Sequence, residues 1–336
     1  MLGMTDHPTH AYEALTPDVM LDALASTGLM GDGRLMALSS YENRVVQCHL
    51  DEAPDGVESP VVAKFYRPNR WSDEAIEEEH AFAWELADAD VPMVAPLRLN
   101  DQTMHRFNGF RFSVSPRKGG RRPELDDWEV LEWIGRLMAR LHNVGAARPF
   151  AHRPALNPMT FGHASKQALL DLQALPLDVE SPWVAACDRA LEVAEAAWHH
   201  FDGALIRLHG DCHPGNILWT PTHGPHFVDL DDARTGPAIQ DLWMLLSGER
   251  LQQTQALSAV LDGYEQLRPF DRRELALIEP LRTLRMIHYS AWLARRWDDP
   301  AFQANFPWFG TADYWHGQVG LINDQIESME KAPLQV

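Results

Sequence analysis

LHGDCHPGNILWTPTHGPHFVDLDD, residues 208–232, is the stretch on which the reading of this chain turns. Asn216 to Trp219 is a short apolar run, TPTHGP is turn material, and HFVDL is a second run, so the pattern predicts two antiparallel strands. With the turn centred between Thr222 and His223, Asn216 is expected opposite Asp229. Opposite residues in such a pair lie ~5 Å apart between their Cβ atoms. An amide oxygen and a carboxylate then converge, a hard-oxygen pair of the kind Mg2+ takes when water and substrate phosphates supply the remaining ligands. Asp211, on the loop entering the hairpin, is left to accept a proton beside the metal.

Taken singly, each of these residues is ordinary turn chemistry, since Asp and Asn cap loops and bond their own backbone. Together, after His209 and Gly210, they are a specific pattern: Asp, four residues, Asn, hairpin, Asp is the order used in phosphoryl transfer. The histidines do not compete with it. No H-E-x-x-H occurs, and His209 and His213 flank a Gly and a Pro, so His209 is expected to bond loop backbone. Cys212 is expected to be a small buried thiol.

Phosphoryl transfer also needs a lysine on an N-terminal strand and a helix carboxylate to hold it. VVAKFY supplies Lys64 in a context close to the V-A-I-K strand motif. Glu79 is the candidate carboxylate; Glu77 and Glu78 are rivals that helical phase alone does not exclude. No G-x-G-x-x-G precedes Lys64. The equivalent turn reads LSSYENRVV, whose Ser39, Ser40 and Asn43 offer hydroxyl, amide and backbone donors to phosphate oxygens.

Outward from these motifs the chain changes character. PDVMLDALASTGLM (17–30) reads as a first helix, and LMALSSYENRVVQCHL (35–50) and SPVVAKFYRP (59–68) as strands. WSDEAIEEEHAFAWELADAD (71–90) reads as a helix capped by Ser72 or Asp73, and residues 93–115 as further β structure. SPRKGGRRPE (115–124), rich in Gly, Pro and basic residues, is expected to connect two lobes. Beyond it the period is helical except for the opening stretch. The expected organisation is α+β: residues 1–117 a β-rich nucleotide-binding lobe, and 118–336 a mainly helical lobe with the catalytic loop and hairpin.

The 336 residues exceed what one hydrophobic core usually serves, which agrees with two lobes around a cleft. Lys and Arg total 29 against 48 Asp and Glu, a net charge of −19 that repels nucleic acid and anionic membranes. Anionic ligands then need local help from metal ions or a few placed basic side chains. Three scattered cysteines argue for a reducing compartment, and neither a leader peptide nor an apolar run of ~18 residues is visible. The expectation is a cytoplasmic monomer with no membrane or nucleic-acid partner.

RLHGDCHPGNILW, FVDLDDARTGPAIQDLWMLL, SYENRVV with VVAKFYRP, and IEPLRTLRMIHYSAWLARRWDDPAFQANFPWF together resemble the aminoglycoside phosphotransferase and choline kinase-like group. The SYENRV and FPWF segments point within it to bacterial stress-response protein kinases. The resemblance spans roughly residues 15–335. It implies a bilobal protein-kinase-like fold, ATP bound between the lobes, Mg2+ as cofactor, and transfer to serine or threonine hydroxyls of protein substrates. It further implies Asp211 and Asp229 as catalytic residues and Asn216 and Asp229 as metal ligands. Ser40 matches an ATP-contacting position, Lys64 and Glu79 match the phosphate-holding pair, and Asp231, Asp232 and Asp241 sit in matching sequence and are read as structural or supporting. Two other activities share the motifs: phosphorylation of a small molecule, with Trp292, Trp297, Trp308, Tyr314 and Trp315 as a cation-binding surface, and silent nucleotide binding. Packing in the helical core is the expected role of those aromatics.

Overall fold

The computed structural model describes residues 11–336; the first ten residues, part of the segment read above for a leader, lie outside them. Helix α1 (Pro17–Ala25), capped by the Thr16 side chain, leads into strands β1 (Gly31–Ala37), β2 (Arg44–Leu50) and β3 (Val61–Phe65). The stretch 35–50 thus folds as two strands around the 38–43 turn. Helix α2 (Asp73–Asp88) starts at a Ser72 cap and precedes β4 (His105–Phe107) and β5 (Phe110–Pro116). Within 93–115 only these last two are strands; the preceding residues run irregularly.

The five strands form one antiparallel sheet in the order β1-β2-β3-β5-β4. The two-residue period of β3 decides its use. Val61, Ala63 and Phe65 point into a core with Val46, Cys48, Phe112, Val114 and Leu24 of α1, so Val62 and Lys64 face the opposite side. Helix α2 buries Phe82, Ala83 and Leu86 against the larger helical core instead, so it joins the sheet region to the rest.

The second region is helical: α3 (Trp128–Gly145), α4 (Ala164–Asp171) and α5 (Leu177–His199) come first. Strand β6 (Ile206–Leu208), hairpin β7 (Ile217–Thr220) and β8 (Gly224–Phe227), and β9 (Arg234–Gly236) follow. The pairing of β6 with β9, which flanks the hairpin segment, was not expected from the helical period around it. Helices α6 (Ile239–Trp243), α7 (Arg250–Tyr264), α8 (Ile278–Ala294), α9 (Pro300–Asn305) and α10 (Ala312–Met329) complete the chain. Trp183, Trp315, Phe302 and Tyr264 are almost fully buried within this core.

Candidate active site

The loop after β6 is pinned before it carries anything. Gly210 has φ +85°, and a Cβ there would stand 2.0 Å from the Asp232 carbonyl oxygen, so only glycine fits. Asp241, buried in α6, accepts the Gly210 N–H on Oδ1 and the His209 N–H on Oδ2, both at 2.8 Å. His142 of α3 lies 3.1 Å from the same carboxylate, and its other ring nitrogen is 2.9 Å from the Tyr264 hydroxyl. His209 bonds the Val228 carbonyl at 2.9 Å, the backbone role expected of it. Two helices and the hairpin thus fix the loop's direction.

Asp211 follows. Its Oδ1 accepts from Arg285 Nη1 of α8 at 2.6 Å, and its Oδ2 lies 3.6 Å from His213 Nε2. Burial lowers the His213 pKa, partly offset by the nearby Asp211 charge. Asn216 ends a short 3-10 turn (Pro214–Asn216) and donates its amide N–H to the Asp211 carbonyl at 3.0 Å, which leaves its amide oxygen as an acceptor.

The hairpin register differs from the expected one. Ile217 faces Phe227 and Thr220 faces Gly224, so the turn centres on Thr222 and Asn216 stands opposite Val228. A one-residue slip exchanges the faces of a strand. Asp229 reaches the same cavity as Asn216 because it leaves the strand in a left-handed conformation, φ +65°.

Lys64 Nζ stands 3.3 Å from Glu79, 3.1 Å from Asp229 and 3.3 Å from Asp231. Burial by itself would lower its pKa, but the three carboxylates raise it well above the ordinary lysine value. Glu79 is also 3.4 Å from Arg153, and burial raises its pKa against the pull of Lys64. Among its rivals, Glu77 is exposed, and Glu78 accepts the backbone N–H groups of Ala151, His152 and Arg153.

These groups border a cavity of about 320 Å³ between the sheet and the hairpin. Val45, Val62, Leu218 and Val228 give it apolar walls, while Ser39, Ser40, Lys64, Asn216 and Asp229 supply polar groups. Asn43, expected among the ligand-contacting residues, does not line it. Its side chain is buried and its amide oxygen accepts the Arg67 N–H at 3.0 Å, tying the 38–43 turn to the end of β3. Cys212 is buried against Met138, and burial raises its thiol well above the ordinary value, so it is not a reactive thiolate.

Four neighbours of the site escaped the sequence reading. Arg285 holds Asp211, Arg153 holds Glu79, and Arg70 pairs with Asp231 and with Asp232. Glu42 accepts from Trp292 at 2.6 Å and pairs with Arg67 and Arg296.

Comparison with known proteins bears on this constellation. Residues 35–278 match APH, the phosphotransferase enzyme family. The chain belongs to that family. This phosphotransferase is 44% identical over 325 residues to serine/threonine protein kinase RdoA of Salmonella typhimurium strain LT2, with 97% of each chain covered. It is 42% identical to stress response kinase A of Escherichia coli strain K12, again over 97% of both. The resemblance to stress-response kinases, and with it the kinase-like fold, is borne out.

Two solved structures share the phosphotransferase's fold at low identity. Amicoumacin kinase hAmiN, in complex with AMP-PNP, Ca2+ and Ami, gives a TM-score of 0.71 at 16% identity and 95% coverage of both chains. A microcompartment-associated aminopropanol kinase gives 0.67 at 19% identity, covering 95% of this chain and 99% of its own. Among the described residues, no helix is long and apolar enough to cross a membrane.

Proposed function

We propose that this phosphotransferase moves the γ-phosphoryl group of ATP, with Mg2+, onto serine or threonine hydroxyls of proteins as a cytoplasmic stress-response kinase. The observation that carries the reading is the Lys64 ammonium, held between Glu79 and Asp229 in a cavity whose rim bears the Asp211–Asn216 loop. Lys64, steadied by Glu79, is suited to hold ATP phosphates, and Ser40 to donate to one of them. The free amide oxygen of Asn216 and the half-exposed carboxylate of Asp229 are hard donors that fit Mg2+. When bound, Mg2+ neutralises charge across the β- and γ-phosphates.

In this reading the acceptor hydroxyl meets Asp211 at Oδ2, because Oδ1 is engaged by Arg285. Asp211 orients the hydroxyl and takes its proton as the new bond forms, while Lys64 and Glu79 keep the donor in line. The identity to a named serine/threonine protein kinase across nearly the whole chain supports a protein acceptor. The tail aromatics support it by a different route. Trp315 is buried against Trp183, and Trp297 and Tyr314 pack on Phe309, so these three rings fill a core, while Trp308 is exposed and Trp292 borders an arginine-lined cavity that would repel a small cation.

The test is a radiolabelled γ-phosphate transfer assay with Mg2+ and ATP. The acceptors are the protein itself, acidic and basic protein substrates, and a panel of choline, ethanolamine and aminoglycosides. Label is expected on serine or threonine, falling by about 100-fold or more in Asp211→Asn while ATP binding persists. Label on small alcohols alone would move the enzyme to the metabolite kinases. An ATP-dependent thermal shift without any transfer would make it a silent nucleotide binder.

A further inference from the structure

A second cavity, of about 410 Å³, is linked to the first through Asp231, whose Oδ1 stands 3.3 Å from Lys64 of the first and whose Oδ2 pairs with Arg70 of the second. Arg67, Arg70, Arg234, Arg295 and Arg296 line it, against the single carboxylate of Asp232. Their counter-charges are shared and too few. Arg67 divides Glu42 and Asp299 with Arg296 and Arg44, and Asp232 serves both Arg70 and Arg234. Among the described residues no carboxylate lies within ion-pair distance of Arg295, which stands at the exposed edge. Six guanidiniums therefore meet four carboxylates, Glu42, Asp231, Asp232 and Asp299, one of which also serves Lys64. In a chain of net charge −19 such a local excess of positive charge is unusual.

Burial, together with neighbouring guanidiniums, draws Arg234 and Arg296 below the ordinary arginine value, while against burial Asp231 and Asp232 hold Arg70 above it. His288, which also lines the cavity, is held neutral by burial and faces the Ser165 hydroxyl, so it adds no charge. The cavity is anchored to the catalytic loop by α8. Arg285 on that helix touches Asp211, His288 one turn later lines the cavity, and Arg295 stands at its edge. At 1.5 Å per residue, Arg285 and Arg295 are ~15 Å apart along the helix axis, a distance that roughly two to four extended peptide residues bridge once the reach of the side chains at either end is added.

We propose that this cavity is an acceptor subsite that takes an anionic side chain, phosphate or carboxylate, of the substrate polypeptide two to four residues from the hydroxyl presented to Asp211. The inference rests on the protein-acceptor reading above and adds its specificity. Guanidiniums bind phosphate and carboxylate through paired N–H groups, which is how arginine clusters read phosphorylated and acidic motifs. Aminoglycosides and choline, being cations, would meet repulsion on this side.

The experiment compares peptides that differ only at the second to fourth positions on either side of one serine, carrying phosphoserine, Glu, Gln or Lys. The full-length enzyme and Arg295→Glu are assayed for kcat/KM. The parent is expected to favour phosphoserine or Glu over Gln by about tenfold, roughly one charge-assisted hydrogen bond. Arg295→Glu should reverse that order and favour Lys, a gain that also shows the variant is folded. Equal kcat/KM across the parent's peptide series, or an unaltered order in the variant, overturns the proposal. A binding arm uses a fluorescent phosphoserine peptide with alanine in place of the acceptor. Its retention by the parent and loss in Arg295→Glu keeps the subsite even if no peptide is phosphorylated, an outcome that would sink only the protein-kinase reading. Full displacement by inorganic phosphate, without any peptide preference in the assay, would mark a site for a free anion and overturn the acceptor assignment.

Discussion

Asp241 shows how much of a reactive loop can hang on one buried carboxylate. It accepts two consecutive backbone N–H groups, from His209 and Gly210, and a third contact from His142. Replacing it with alanine leaves those donors buried without partners, at about 1–3 kcal/mol each. Asp241→Ala should therefore lose several kcal/mol in chemical denaturation and most of its transfer activity; a variant that kept both would remove Asp241 from the loop's support. Arg285→Gln is a milder case. It frees Asp211 Oδ1 without touching the cavity beside Lys64, so on the proposed function kcat should fall by about 100-fold with KM for ATP little changed, the usual effect of a misplaced catalytic group. An equal rise in KM for ATP would place Arg285 on the nucleotide instead. Asp211, Asn216 and Asp229 were legible because their spacing is local and carries its own chemistry, and Lys64 because its strand motif marks it although Asp229 lies 165 residues away. Arg285 and Arg70 were not, because their partners lie 74 and 161 residues away and no periodicity links them.

Among the elements, the hairpin shows what local pattern leaves open. The strands were readable from two apolar runs, but the register depends on the turn. Thr220 pairs with Gly224, whose φ of +69° closes a three-residue loop, where an even turn had been expected. Asn216 and Asp229 nevertheless share a cavity because both lie just outside the paired residues, one ending a 3-10 turn and the other left-handed. The β6–β9 pair was illegible for a different reason. Three residues on either side are too few for a period, and their partners are fixed by the fold. Helix α6, which follows β9 and carries Asp241, starts against Glu274, whose carboxylate accepts the Ile239 N–H at 2.7 Å. Burial raises the Glu274 pKa to about 7. Unfolded glutamate titrates near pH ~4.3, so between that value and about 7 the folded state holds the extra proton, and stability falls as pH rises. Glu274→Gln keeps the acceptor and removes the charge. Thermal melts should show the variant matching the parent at low pH and exceeding it at pH values above 7; parity throughout would mean that the buried carboxylate ionises without penalty.

Across the whole molecule, the sheet region and the helical region are joined by charge as well as by the apolar face of α2. Asp299, buried at the start of α9, accepts the Ala301 N–H at 3.0 Å and pairs with Arg67 at 2.9 Å and Arg44 at 3.0 Å. Both arginines belong to the sheet region, beside the turn that borders the cavity next to Lys64. Burial works against the Asp299 charge, but Arg67, the Ala301 N–H and Arg44 hold its pKa below the ordinary value. Its contribution is therefore present above pH ~4, where an unfolded aspartate is ionised, and is lost as pH falls through the lower folded value. Removing one member of such a pair strands the other in the interior, which typically costs about 3–5 kcal/mol. Asp299→Ala should lose that much, while Arg67→Met with Asp299→Ala should lose less than the two single changes together, because the stranded partner is gone as well. A coupling of about 1–3 kcal/mol in the four-variant cycle is the expected result. Strict additivity would mean that the Arg67–Asp299 pair adds nothing to the junction, and that apolar contacts such as those of Phe82 and Leu86 set how the two regions meet around the cavity.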